Sequence, residues 1–188
     1  MIREHKPQLA VFGGSFDPPH IAHVFLATYA LSLGVARVLV APTFEHAFGK
    51  HMQPFEQRLA MCSLAFALLP AVEVSPIERE LGGVSRSLRL VQELARRHPD
   101  HQLRLLIGAD ILADTSRWHA FDEIVAIAPL LVAARAGHAG GDAHGPVLPE
   151  VSSSALRDAL QRGDDTSLWV PSTVRAYIAE HNLYASAS

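Results

Sequence analysis

A single cysteine, Cys62, stands among the 188 residues, so no internal disulfide can hold the fold. Basic excess is missing as well. Sixteen Lys and Arg against 19 Asp and Glu give a formal net charge of -3, without the positive footprint that nucleic-acid binding needs. No apolar stretch comes near the roughly 20 residues that cross a bilayer, and the N-terminal Met-Ile-Arg-Glu-His-Lys-Pro has no apolar core of a secretory signal. These absences predict a cytoplasmic protein with neither nucleic acid nor membrane as a partner. Internal repeats and heptads are also lacking. What remains is 49% hydrophobic and 19% charged, the balance of a globular chain sized for a single domain, residues 1–188.

The most informative stretch is residues 11–23, Val-Phe-Gly-Gly-Ser-Phe-Asp-Pro-Pro-His-Ile-Ala-His. It reads as a buried strand end, a flexible turn and a helix headed by two histidines. Gly13 and Gly14, with Ser15 and Phe16 behind them, let backbone approach an anion with no side chain between. The helix that follows brings unpaired N–H groups and a positive dipole end. His20 and His23 are three apart, which puts both imidazoles on one face of its first turn. This is the pattern of a phosphate site, yet it carries neither Gly-x-Gly-x-x-Gly nor a Gly-Lys-Ser/Thr ending. Zinc is the competing reading of His-x-x-His, but the His-Glu-x-x-His pattern and further ligands are missing, and no metal-ligating residues are predicted. A nucleophile elbow on Ser15 would need glycine at 17, where Asp17 stands and is read as shaping the turn.

A second anion site is written near the C-terminus. Ser152 suits the cap of a helix beginning at Ser153, which brings Ser153 and Ser154 amides and hydroxyls, with Arg157 one turn on, to another helix N-terminus. Leu156, Ala159 and Leu160 would bury the opposite side.

Along the chain, short β-rich runs alternate with helical patterns. Strands are predicted at Leu9–Phe12, Ala36–Ala41, Val72–Val74, Leu103–Ile107 and Leu130–Ala134. Helices are predicted at His20–Leu33, Pro54–Leu69 and Ser87–Arg97. Such alternation means an α/β fold, a parallel sheet with helices on both faces and ligands at the carboxyl ends of strands. Cys62 lies in the stripe Phe55, Leu59, Cys62, Phe66, Leu69 and reads as a core thiol. Thr43–Gln53 lacks periodicity, and Ala136–Glu150, with His138 and His144, reads as a solvated linker.

Gly13-Gly14-Ser15-Phe16-Asp17-Pro18 followed by His20-Ile21-Ala22-His23 resembles the signature of the nucleotidyltransferases that share a His-x-Gly-His motif. Three further stretches, in the same order, extend the likeness. They are Gly108-Ala109-Asp110 with Trp118 downstream, Val151-Ser152-Ser153-Ser154-Ala155-Leu156-Arg157, and Val170-Pro171 through Tyr177-Ile178 to Leu183-Tyr184. Within that superfamily the pattern is most similar to the bacterial nicotinate (nicotinamide) mononucleotide adenylyltransferases. The resemblance implies a Rossmann-like nucleotidyltransferase fold, ATP as a substrate accompanied by Mg²⁺, and adenylyl transfer to nicotinate mononucleotide in NAD synthesis.

The same resemblance implies roles for individual residues. His20 and His23 would donate to the ATP phosphates, Lys50 would reach a phosphate, and Ser153, Ser154 and Arg157 would meet the β- and γ-phosphates. Asp110, after Gly108, would accept from ribose hydroxyls, Trp118 would stack on the acceptor's pyridine ring, and Arg135 would contact its phosphate. A helix cap competes for Asp110 and a core position for Trp118. Three departures from the family pattern stand out. Ala22 replaces the glycine of His-x-Gly-His, Gly49 precedes Lys50 where the family has histidine, and Val84-Ser85-Arg86 falls where the family has Ser-Tyr-Thr. Arg86 there suits a carboxylate or a different acceptor. Nicotinamide mononucleotide or phosphopantetheine as acceptor, and a nucleotide-binding relative without catalysis, stand as the alternatives.

Overall fold

The computed structural model describes residues 6–46, 49, 51–112, 118–133 and 148–185. Strands β1 (Gln8–Gly14), β2 (Arg37–Pro42), β3 (Val72–Val74), β4 (Gln102–Gly108) and β5 (Leu130–Ala133) pair in parallel as one sheet of order β3-β2-β1-β4-β5. The helices are α1 (Ile21–Ser32), α2 (Phe55–Phe66), α3 (Ile77–Leu81), α4 (Ser87–Arg97), α5 (Phe121–Ile127), α6 (Ser153–Arg162) and α7 (Ser172–Glu180). The α/β expectation holds, and the two-residue period of the strands explains it. In β1, Ala10 and Phe12 face a core with Val38, Val40, Leu26, Ala30 and Phe66, under α1 and α2. Leu9 and Val11 face the other core, with Leu39, Leu105, Leu90 and Leu94, under α4. Both faces are covered, which is why the strands read as continuous apolar runs. Each buried Leu, Val or Phe contributes about 1.5–3 kcal/mol relative to exposure.

The chain runs β1-β2-β3 outward, then returns to place β4 on the other side of β1. Strand order therefore reverses between β1 and β4, and a crevice opens beyond their carboxyl ends. Gly13 and Gly14 end β1, opposite Ala41 and Pro42, and Gly108 ends β4, opposite Ala133.

The strands, α1 and α4 lie where the sequence predicts, within a residue or two. The α2 helix ends at Phe66 instead of Leu69, because Pro70 cannot continue it and the chain must turn to enter β3 at Val72. The helices α3, α5 and α7 went unpredicted. The first two are five and seven residues long, too short for periodicity to register. Helices α6 and α7 pack with α1 and α2 through Ala22, Met61, Leu156, Val174 and Ile178, a third cluster that fastens the C-terminal segment beside the crevice. No helix among the described residues is long and apolar enough to cross a membrane.

Candidate active site

The loop that leaves β1 is held from inside. Phe16 turns back with a positive φ of 49° and buries its ring against Phe12 and Phe66, edge-on to His23 at 4.9 Å. That ring is why position 14 is glycine, since a Cβ there would sit 3.2 Å from it. Asp17 follows, and the Asp17–Pro18 peptide is cis.

His20 is the N-cap of α1, extended at φ -144° and only 4% exposed. Its backbone N–H donates to His23 Nδ1 at 3.1 Å, and the two imidazoles stack with centroids 3.7 Å apart. An acceptor at Nδ1 leaves the ring proton of a neutral His23 on Nε2. The hydrogen bond thus fixes both the tautomer and the orientation of the second histidine. The expected shared face of the first turn is the arrangement found. Ala22, between them, puts its methyl group into the apolar cluster with Met61, Val151 and Leu156, so the departure from glycine is absorbed partly by packing.

A cavity of about 350 Å³ lies in the crevice. One wall is Gly13, Gly14, Ser15 and Phe16 with His20 and His23, and another is Gly108, Asp110 and Trp118. The third is the start of α6, Ser152 to Ser154. Asp110 lies in a short helical turn over 109–112, directly after β4. A Cβ at Gly108 would come within 2.5 Å of its carboxylate Oδ1, so the glycine makes the space in which that oxygen rests. Trp118 is at once a core residue and a cavity residue. It packs edge-on to Phe121, with centroids 6.1 Å apart, within the core under α4 and α5, and it also lines the cavity.

At α6 the Ser152 hydroxyl accepts from Ala155 N–H at 3.2 Å, the cap that the sequence predicts. Ser153 donates its hydroxyl to Pro18 O at 3.0 Å. Arg157, part-buried beside Ser154, donates Nη1 to Asp17 O at 2.8 Å and Nη2 to Ser154 Oγ at 3.1 Å. The two anion sites, 139 residues apart at Gly14 and Ser153, are thereby stitched into one. Arg86 is exposed at the N-terminus of α4 and does not belong to the cavity wall among the described residues. Its neighbour Ser85 is tied to the loop after β2, donating its N–H to Glu45 O and accepting from Phe44 N–H, each at 2.9 Å. Lys50 and Arg135 lie outside the described residues, as do His138 and His144.

Two contributors escaped sequence reasoning. Arg58 is 1% exposed, and its guanidinium donates to Gln53 O at 2.8 Å, Ser15 O at 2.9 Å and Phe44 O at 3.4 Å. Burial holds its pKa below the ordinary arginine value, an effect that nearby Asp17 opposes. The available signal was a charged residue between Phe55 and Cys62, one turn from each, inside the apolar stripe of α2. Asp17 is likewise 1% exposed. Its carboxylate accepts from Tyr184 OH at 2.6 Å and from Gln53 N–H at 3.4 Å, so it does more than shape a turn. Nothing local in the sequence pairs positions 17 and 184. Cys62 is the buried core thiol expected, its pKa pushed up by burial.

A glycine loop, two stacked histidines and a capped helix N-terminus thus line one crevice. The Cytidylyltransferase-like family model matches residues 11–159, which span all three walls. A protein named as a probable nicotinate-nucleotide adenylyltransferase, from Anaeromyxobacter sp. (strain K), is 44% identical over 181 residues, 94% of this chain and 96% of its own. Another of that name, from Myxococcus xanthus (strain DK1622), is 41% identical, with 94% of each chain covered. Among solved structures, the Plasmodium falciparum nicotinic acid mononucleotide adenylyltransferase complexed with NaAD superposes with a TM-score of 0.81. It covers 95% of this chain and 97% of its own, and at 18% identity this is a likeness of fold. With the fold, the crevice and relatives of over 40% identity along nearly the whole length in agreement, the chain belongs to the cytidylyltransferase-like family of nucleotidyltransferases and, within it, to the nicotinate-nucleotide adenylyltransferases.

Proposed function

We propose that this chain transfers the adenylyl group of ATP to nicotinate mononucleotide, releasing pyrophosphate and forming nicotinate adenine dinucleotide in NAD synthesis. The observation that supports the reading is that the His20–His23 pair with its glycine loop and the capped start of α6 line one cavity.

A phosphate monoester with a second pKa of about 6 is already largely a dianion at neutral pH. The acceptor's phosphate oxygen therefore needs no general base. It attacks the α-phosphorus of ATP in line, the new P–O bond forms, and the bond to the bridging oxygen breaks with its electron pair leaving on pyrophosphate. Catalysis reduces to alignment and to stabilising charge that shifts toward the leaving group. His23, with Nδ1 occupied by the His20 amide, is set to donate from Nε2 to that charge. His20 stands in the same stack beside it. The α6 amides with Ser153, Ser154 and Arg157 would take the β- and γ-phosphates, and Lys50 would add a cation from the loop after β2. Gly13, Gly14, Ser15 and Phe16 form the floor, and Asp110 would accept from ribose hydroxyls. Trp118 offers the cavity an aromatic surface for the pyridine, and Arg135 follows β5 in sequence, where it would hold the acceptor phosphate.

Asp17, buried and engaged by Tyr184, does not offer itself to a metal, and among the described residues no three His, Cys, Asp or Glu side chains are grouped to chelate one. Mg²⁺ would enter with ATP, held by phosphates and water, and would neutralise phosphate charge. The same reading puts the reaction in the cytoplasm, where ATP is at hand, with no role for nucleic acid or membrane.

Pyrophosphate release from Mg-ATP, measured with nicotinate mononucleotide, nicotinamide mononucleotide and phosphopantetheine side by side, tests this. Release with nicotinate mononucleotide is the expected result, and release with neither pyridine nucleotide would sink the reading. The third arm of the assay addresses another phosphorylated acceptor.

A further inference from the structure

Asp17 has two faces turned toward Arg157. Its backbone carbonyl accepts from Arg157 Nη1 at 2.8 Å, while its carboxylate Oδ2 stands 3.8 Å from the same nitrogen. The two form a long ion pair, whereas a carboxylate that is 1% exposed with a guanidinium this close would ordinarily shorten the contact into a direct charge-assisted hydrogen bond. Two donors compete for its oxygens. Tyr184, 6% exposed and beyond the end of α7, gives Oδ1 a hydrogen bond of 2.6 Å, and the Gln53 amide lies 3.4 Å from Oδ2. Burial and the adjacent Asp17 both push the Tyr184 pKa well above the ordinary phenol value, which keeps its proton in place as a donor.

We infer that Tyr184 is a positioning residue for the triphosphate end of the site. By occupying the Asp17 carboxylate, its hydroxyl keeps Arg157 on the Asp17 backbone carbonyl and on Ser154, in the orientation that presents α6 to the phosphates. The C-terminal segment, whose Tyr184 is not itself a lining residue of the cavity, thereby sets how firmly ATP is held. This rests on Arg157 serving the β- and γ-phosphates, as proposed above.

The test compares Tyr184→Phe, Tyr184→Phe with Asp17→Asn, and Arg157→Ala in the pyrophosphate assay, with melting temperatures recorded alongside. Tyr184→Phe keeps the ring and its packing while removing the donor. The Michaelis constant for ATP is expected to rise about tenfold, equivalent to roughly 1.4 kcal/mol, with that for the acceptor unchanged. Adding Asp17→Asn removes the charge that would draw Arg157 away, so it is expected to recover at least half of the loss on a logarithmic scale. A purely structural role for the pair predicts the reverse, a double variant worse than the single one, and that result overturns the inference. So does an unchanged ATP constant in Tyr184→Phe while Arg157→Ala is impaired. Should Arg157→Ala itself leave the ATP constant unchanged, the role given to Arg157 fails and the inference with it. A Tyr184→Phe protein that does not fold is replaced by Asp17→Asn alone, whose amide oxygen can still accept from Tyr184 while the charge is gone; the inference requires ATP affinity kept within about threefold, and a larger loss overturns it.

Discussion

Replacing Arg58 by methionine should cost the protein far more stability than any other exchange of a charged residue on α2. The guanidinium makes two short charge-assisted hydrogen bonds, to Gln53 O at 2.8 Å and Ser15 O at 2.9 Å, and a longer one to Phe44 O. A hydrogen bond to a charged group contributes about 1.5–3 kcal/mol, so the two short ones together account for roughly 3–6 kcal/mol. Methionine fills a similar volume and removes the expense of burying a charge, which offsets part of that loss. It also strands three carbonyls and takes away a charge that favours the buried Asp17 carboxylate, and leaving a buried acceptor unsatisfied costs about 1–3 kcal/mol. The net expectation is a loss of about 3–5 kcal/mol, and at about 2–4 °C per kcal/mol for a domain of this size the melting temperature falls by roughly 6–20 °C. Thermal unfolding followed by circular dichroism, with Arg79→Met as an exposed control, measures it. A fall of less than about 2 °C would mean that water satisfies the three carbonyls and that Arg58 does not hold the phosphate loop.

Other expectations can be checked with the same protein. His23→Ala should lower kcat by roughly two to three orders of magnitude with little change in the acceptor's Michaelis constant, and equal loss in both would count against a role confined to the transition state. Gly108→Ala would put a Cβ within 2.5 Å of Asp110 Oδ1, so the carboxylate must shift and the Michaelis constant for ATP should rise; unaltered ATP kinetics would remove Asp110 from the ribose site. Glu78, buried beside Ser85, has its pKa raised by burial, so its proton is bound more tightly in the folded state than in the unfolded one. The stability associated with that proton is complete below the ordinary carboxylate pKa of about 4.3 and is lost as pH rises through the folded value. Glu78→Gln should accordingly melt higher than the parent at pH 7, with the gap closing toward pH 4, and a gap independent of pH would refute the assignment.

Much of the active site was legible because its parts are local. A glycine loop, a helix N-terminus with His20 and His23, and the Ser152 cap each need only neighbours within one turn, and local sequence specifies such features. The sheet was legible for a related reason, since β1 and β4 are covered on both faces over most of their length and read as apolar runs, interrupted in β4 by Arg104. Helices α3 and α5 were not, because a segment of five or seven residues draws its helicity from packing and leaves no periodic trace. Arg86 carried a chemical suggestion in the sequence that its exposed position at the start of α4 does not take up within the described residues.

Tertiary structure alone decided what holds these pieces in register. The sequence by itself determined that this chain would present two helix starts, one headed by His20 and one capped by Ser152, on an α/β scaffold, because glycine, histidine and serine at those positions act through backbone geometry within a few residues. That the two starts face one cavity followed only from the reversal of strand order between β1 and β4. That Arg157 meets Asp17 O, that Tyr184 takes the Asp17 carboxylate, and that Arg58 gathers the Ser15, Phe44 and Gln53 carbonyls depends on chain segments up to 167 residues apart. Contacts between such distant segments form only when the folded core brings them within hydrogen-bond reach.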